Sequence, residues 1–176
     1  LSIGRFSNEK DQKTLIKAIG RSKYKDRIKL ILAGKGPLKN EYISLCQRLK
    51  INAQFGFYSR NDLKQIMDQS NIVVHCANVE VEGMACMEAF ATGCVPIIAQ
   101  SPLSSTSSYA LSPNNLFPAG RSEILTQRID YWINHPKDLK VMSTNYQNYA
   151  KSLTVEFSAK KVLTMMKNAQ KNYISN

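Results

Sequence analysis

The sequence predicts an α/β domain built on a doubly wound parallel sheet, and three observations lead there. Short apolar runs alternate with helix-period segments, those runs are rich in Ile, Leu, Val, Ala and Phe, and glycines recur where they end. Strands are expected at 1–5, 28–33, 53–57, 72–76 and 95–99, each apolar enough to be covered on both faces. Helices are expected near 11–21, 38–49, 60–70 and 84–92. The first sets Leu15, Ile16, Ala18 and Ile19 on one side and Lys10, Lys13, Lys17 and Arg21 on another. Pro37 suits the start of the second helix, and Ser59 or Asn61 caps the third.

Between 100 and 120 the rhythm breaks. Pro102, Pro113, Pro118 and six serines between 101 and 112 predict a loop, with one short strand near Leu116–Phe117. Loops of this length in a compact domain tend to be functional, although a serine run reads equally as a flexible surface segment. Helices follow at about 122–134, 137–151 and 156–173, separated by His135-Pro136 and by Thr154.

A chain of 176 residues with 43% hydrophobic residues can bury a full core, so no disulfide or metal staple is required. No stretch reaches the roughly 18 to 20 apolar residues of a membrane span. Cys46, Cys76, Cys86 and Cys94 match neither zinc-site nor redox-pair spacing and are expected to be reduced and buried, in a cytoplasmic protein. The opening Leu-Ser-Ile-Gly-Arg-Phe reads as a strand already under way, so the chain is expected to begin inside a longer protein.

The net charge of +11 is concentrated early: residues 1–60 hold 14 Lys/Arg against 4 Asp/Glu, and residues 61–176 hold 10 against 9. That asymmetry points to anionic partners, either phosphates or a negatively charged membrane surface. Nucleic acid is not expected, since no reader motif is present and the basic residues lack interleaved aromatics. The plain alternative is that most of these lysines are simply solvated.

In open parallel sheets ligands bind at the carboxyl ends of the strands, where glycine admits close backbone approach and helix N-termini carry partial positive charge. Three segments fall at such ends. Gly4-Arg5-Phe6-Ser7-Asn8-Glu9-Lys10 places a guanidinium and an ammonium together, as a diphosphate requires. Ala33-Gly34-Lys35-Gly36-Pro37 is a glycine turn, weak taken alone. The third segment runs from Asn78 through Glu80, Gly83 and Glu88 to Ile98. With a helix starting at Gly83, Glu80 lies just before it and Glu88 about 7 to 8 Å along its axis. Two carboxylates then flank an anion-binding helix end, unless Glu80 and Glu82 are solvated loop charges and Glu88 an exposed helix residue.

Glu80-x7-Glu88 with Gly83 between, followed by Ala89-Phe90-Ala91-Thr92-Gly93-Cys94-Val95-Pro96-Ile97, resembles the hallmark of family 4 retaining glycosyltransferases in their C-terminal domain. Gly4-Arg5-x3-Glu9-Lys10 and Ala33-Gly34-Lys35-Gly36-Pro37 resemble the family's other strand-end segments, in the same order. The resemblance implies one half of a GT-B fold: a Rossmann-like, nucleotide-sugar-binding domain over residues 1–176, facing an N-terminal acceptor domain absent from this chain. It implies that Arg5, Lys10 and Glu80 are the catalytic residues, with Arg5 and Lys10 on the donor diphosphate and Glu80 on the transferred hexose. It further implies donor contacts from Gly4, Gly34, Phe57, Tyr58, Gly83 and Met84, with Phe57 and Tyr58 beside the base and Glu88 on the ribose. The final helix is implied to cross back toward the partner domain. No metal and no cofactor is expected besides the donor, such as UDP-glucose, since no Asp-x-Asp motif occurs.

Two departures bear on the substrate. Glu82 stands where the family usually has an aromatic residue, and Gln100-Ser101-Pro102-Leu103-Ser104-Ser105-Thr106 replaces a Gly-Gly-x-x-Glu segment. The latter is more similar to a smaller group of bacterial lipid glucosyltransferases, including cholesterol α-glucosyltransferases. Hexosyl transfer to a sterol or diacylglycerol is therefore expected, at the inner face of the cytoplasmic membrane. The alternatives are transfer in polysaccharide or lipopolysaccharide synthesis, and a basic membrane- or nucleic-acid-binding module. The isolated domain is expected to bind donor without turnover.

Overall fold

A computed structural model describes residues 1–174. The main strands are β1 (Ser2–Ile3), β2 (Leu30–Ala33), β3 (Ala53–Gly56) and β4 (Ile72–His75), followed by a two-residue β5 (Val79–Glu80), β6 (Val95–Gln100), a two-residue β7 (Leu103–Ser104) and β8 (Leu116–Pro118). The helices are α1 (Gln12–Arg21), α2 (Lys39–Arg48), α3 (Arg60–Asp68), α4 (Met84–Ala91), α5 (Ser122–Asn134), α6 (Pro136–Lys151) and α7 (Val155–Ile174).

Two three-stranded parallel sheets, β1-β2-β3 and β4-β6-β8, form the centre. Leu1 joins them: its carbonyl accepts from the Val74 amide at 2.8 Å and its own nitrogen donates to Ile72 at 2.9 Å. The result is a continuous order β3-β2-β1-β4-β6-β8, whose direction of winding reverses between β1 and β4. A crevice must open at the carboxyl ends there, because the connections from β1 and β4 leave toward opposite edges of the sheet.

Burial follows the sequence pattern. In β6 the run Val95 to Ala99 is buried throughout, and α1 buries Leu15, Ile16, Ala18 and Ile19 as expected. The expectation of double coverage fails for β3, an edge strand on which Gln54 is exposed. On the far side, Phe90 of α4 packs on Tyr146 of α6 with the rings tilted and their centroids 4.9 Å apart. Trp132 of α5 is buried and donates its indole N–H to the Asn114 carbonyl at 3.1 Å. Pro37 does not open α2; it occupies the turn before Leu38, the residue that precedes the helix. Ser59 is the cap of α3, its hydroxyl accepting from the Asp62 amide at 3.2 Å.

The segment 100–120 is built rather than loose. β7 pairs in parallel with β5, Thr106–Tyr109 and Pro113–Asn115 are 3-10 turns, and β8 extends the main sheet. Ser104 and Thr106 are buried and share a hydrogen bond of 2.8 Å. In contrast, residues 154–170 of the C-terminal segment are exposed throughout, including Phe157, Leu163, Met165 and Met166. Among the described residues no helix is long and apolar enough to cross a membrane.

Candidate active site at the sheet crossover

Two cavities meet where β1 ends. The larger, about 680 Å³, is walled by Arg5, Gly34, Lys35, Phe57 and Tyr58, among others; the smaller, about 390 Å³, is walled by Lys10, His75, Glu80, Gly83 and Met84. Ile3 and Gly4 border both. The sequence-predicted residues Arg5, Gly34, Phe57 and Tyr58 thus fall on one side of Gly4, and Lys10, Glu80, Gly83 and Met84 on the other.

Backbone contacts between neighbouring strand ends fix this floor. Gly4 donates to Ala33 at 3.0 Å, Phe6 to Lys35 at 3.0 Å, and Gly34 to Gly56 at 2.7 Å. The approach is so close that a Cβ on Gly34 would lie 1.9 Å from the Gly4 carbonyl oxygen, so packing alone demands glycine there. Buried Gln12 donates to the Arg5 carbonyl at 3.0 Å and is itself met by Tyr42, whose hydroxyl is 3.3 Å from Gln12 Oε1. This backing holds the loop while the Arg5 side chain stays exposed. Phe57 is exposed as well, with the Lys35 ammonium 4.6 Å from its ring centroid.

Glu80 is the charged centre of the smaller cavity. Its Oε2 is 2.5 Å from Lys10 Nζ and 3.6 Å from His75 Nε2. The side chains of Lys10 and Glu80 are 24% and 20% exposed, so this pair is far drier than Lys13–Glu41 or Arg21–Glu123. Burial raises the Glu80 pKa, but the Lys10 hydrogen bond and charge, with His75 and the Gly83 amide, outweigh it and hold the carboxyl below its ordinary value. His75 goes the other way: burial lowers its pKa to about 4, Glu80 opposes this and Lys10 reinforces it, so the imidazole is neutral at neutral pH.

Gly83 caps α4 in the left-handed conformation with φ 64°, and a Cβ there would meet Thr106 Cγ2 at 2.5 Å. The serine-rich segment buttresses this turn. Ser101 donates to the Asn78 carbonyl at 2.6 Å, the Ser105 amide to the Glu80 carbonyl at 3.1 Å, and the Tyr109 hydroxyl to the Glu82 carbonyl at 2.7 Å. Tyr146 of α6 in turn anchors Tyr109 and Leu111. Met84 and Ala85 open α4 and border the cavity; at the first helical positions their amides lack an intrahelical acceptor.

Glu88 is placed differently from its predicted partner. It stands exposed on α4, outside the walls of either cavity, without a hydrogen bond or ion pair among the described residues. The basic stripe is also altered by the fold. Lys10 faces Glu80, Lys13 faces Glu41 at 2.7 Å and Arg21 faces Glu123 at 3.2 Å, which leaves a less positive face than the sequence suggests. All four cysteines are free and buried, and burial pushes the Cys86 thiol up to about 12, so no thiolate serves this site.

Sequence reasoning missed His75 and the supports Ser101, Thr106 and Tyr109. For His75 a signal existed, since it ends an otherwise apolar strand at the ligand-binding edge. Pairing between β5 and β7 involves two residues from each strand, too few for any periodicity to register.

The parallel sheet and its crossover match the α/β domains of GT-B glycosyltransferases. The sequence profile described as "Glycosyl transferases group 1" matches residues 1–149, and the chain belongs to that family. It is similar to the catalytic domain of cholesterol-alpha-glucosyltransferase from Helicobacter pylori, with 42% identity, a TM-score of 0.84 and coverage of 87% of this chain and 97% of that one. It also resembles Anabaena HepE, solved in complex with UDP-glucose, with 22% identity, a TM-score of 0.77 and coverage of 94% of this chain but 48% of that one. An uncharacterized glycosyltransferase of Methanocaldococcus jannaschii is 28% identical over 104 residues, which are 57% of this chain and 26% of that protein. The chain therefore spans about a quarter of the curated relative and about half of the Anabaena structure.

Proposed function

We propose that this chain is the donor-binding half of a retaining glucosyltransferase that moves glucose from UDP-glucose to a lipid acceptor, a sterol or diacylglycerol. The observation that carries the reading is the Lys10–Glu80 pair at the crossover, with a cavity to each side of Gly4. In this reading uracil lies against Phe57 and Tyr58, the diphosphate crosses at Gly4, and the hexose enters beside Glu80. Glu88, on the outer face of α4, meets the ribose only if the donor extends over the helix. The 42% identity to the Helicobacter pylori domain supports glucose and a sterol, and HepE supplies a case of UDP-glucose on the same fold.

Breaking the bond between the sugar and the diphosphate builds negative charge on the leaving phosphate. The residues here answer it with Arg5, Lys10 and the free amides at the start of α4. Glu80, an acceptor only when ionised, orients hexose hydroxyls. The acceptor and any groups that guide it belong to an N-terminal domain, and the exposed apolar side chains of α7 are suited to pack on it. Such an enzyme would work at the inner face of the cytoplasmic membrane, without a metal.

The test is transfer of labelled glucose from UDP-glucose by the full-length protein, offered cholesterol, diacylglycerol and a polysaccharide primer in parallel. Label in a lipid product, with none from this chain alone, is the expected result. Product only on the polysaccharide primer would overturn the lipid acceptor. Robust turnover by this chain alone would overturn the division of labour.

A further inference from the structure

His75 has no part in the proposed transfer, yet its position is costly. The side chain is 7% exposed, and Nε2 is fully buried without a hydrogen-bond partner. A buried polar atom left unpaired destabilises the fold, and leucine would end the apolar run Ile72-Val73-Val74 at no such cost. The orphaned atom borders the smaller cavity, 3.6 Å from Glu80 Oε2.

The ammonium of Lys10 has two claims on it. It grips Glu80 at 2.5 Å, and the proposed function places it on the diphosphate. A diphosphate carries more negative charge than one carboxylate, so donor binding draws Lys10 toward the phosphates and loosens its hold on Glu80. The carboxylate, still only 20% exposed, then needs another donor.

We propose that His75 is a positioning residue: its Nε2–H takes hold of the Glu80 carboxylate as the donor diphosphate draws Lys10 away, keeping Glu80 aimed at the hexose hydroxyls. The inference rests on the donor-binding reading given above. The move is small, since closing 3.6 Å to an ordinary hydrogen bond takes about 0.7 Å. A neutral imidazole suits the task, because it offers an N–H to the carboxylate without adding a second cation beside Lys10. The charged groups that face the ring are Lys10 and Glu80.

His75→Leu and His75→Gln test this in the present chain, by calorimetric titration with UDP and with UDP-glucose and by thermal unfolding. Leucine removes the orphaned nitrogen, so His75→Leu is expected to melt about 2–4 °C higher than wild type. It should bind UDP as wild type does and UDP-glucose about ten-fold more weakly. His75→Gln, whose amide N–H reaches about as far as Nε2, should recover most of that loss. Equal weakening for both ligands, a lowered melting point with unchanged binding, or no recovery by Gln would overturn the inference. Wild-type chain that binds neither ligand overturns the donor reading and this inference together. Wild type that binds both, with His75→Leu indistinguishable from it, overturns this inference alone.

Discussion

Substituting Lys10 with Met removes the cation from Glu80 while keeping most of the side-chain volume. The pair is short at 2.5 Å and each partner keeps about a fifth to a quarter of its surface in water. A solvent-exposed ion pair contributes at most about 1 kcal/mol, whereas a hydrogen bond to a charged group contributes about 1.5–3 kcal/mol. Discounting for the residual exposure, the loss at pH 7 should be about 2 kcal/mol, or about 4–8 °C in Tm for a domain of this size. The sign of the pH dependence follows from Glu80. Its pKa is lowered in the fold, so its stabilising contribution is present above the unfolded carboxylate value and lost as pH falls through the folded one. The gap between wild type and Lys10→Met should therefore close in acid. Urea unfolding of wild type, Lys10→Met, Glu80→Gln and the double variant at pH 7 should give a coupling of about 1.5–2 kcal/mol. Additivity within about 0.5 kcal/mol, or a gap undiminished at pH 3, would refute the reasoning.

Gly83→Ala adds a Cβ at a left-handed position and drives it into Thr106, and should cost about 1–3 kcal/mol, part of it recovered when Thr106→Ser removes Cγ2; equilibrium unfolding measures both. Because burial lowers the His75 pKa to about 4, wild type loses stability as pH falls from the unfolded value near 6.5 toward 4, where only the unfolded chain takes up the proton. That loss is about 3 kcal/mol, and His75→Leu, already the more stable form at pH 7, should not show it in urea titrations at stepped pH. A thiol reagent should label none of Cys46, Cys76, Cys86 and Cys94 in the native chain and all four in urea, read by mass spectrometry.

Much of the frame was legible because burial imposes patterns on sequence. The limits of α5 coincide with the expected 122–134, since Arg121-Ser122 and His135-Pro136 bracket one amphipathic run. The carboxyl ends of the expected strands were legible to within one residue, except that β1 stops at Ile3, where Gly4 turns toward Ala33. Glu80 was legible through its spacing from Gly83, but its grip on Lys10 joins residues 70 apart that no local pattern links. The serine-rich segment gave no sign of its role, because Ser101, Thr106 and Tyr109 act singly on the carbonyls and the glycine of a distant turn. Exposure of Glu88 likewise depends on how α4 rolls onto α6 and β6, which its own sequence does not state.

The central claim is that the nucleotide and the sugar occupy different cavities on either side of Gly4. Amide shift mapping of the isotope-labelled chain, titrated with UDP and then with UDP-glucose, tests it most directly. UDP should move the amides of Gly34, Lys35, Phe57 and Tyr58, and only UDP-glucose should add large shifts at Glu80, Gly83 and Met84. Shifts confined to the basic face of α1, or identical maps for the two ligands, would contradict the account.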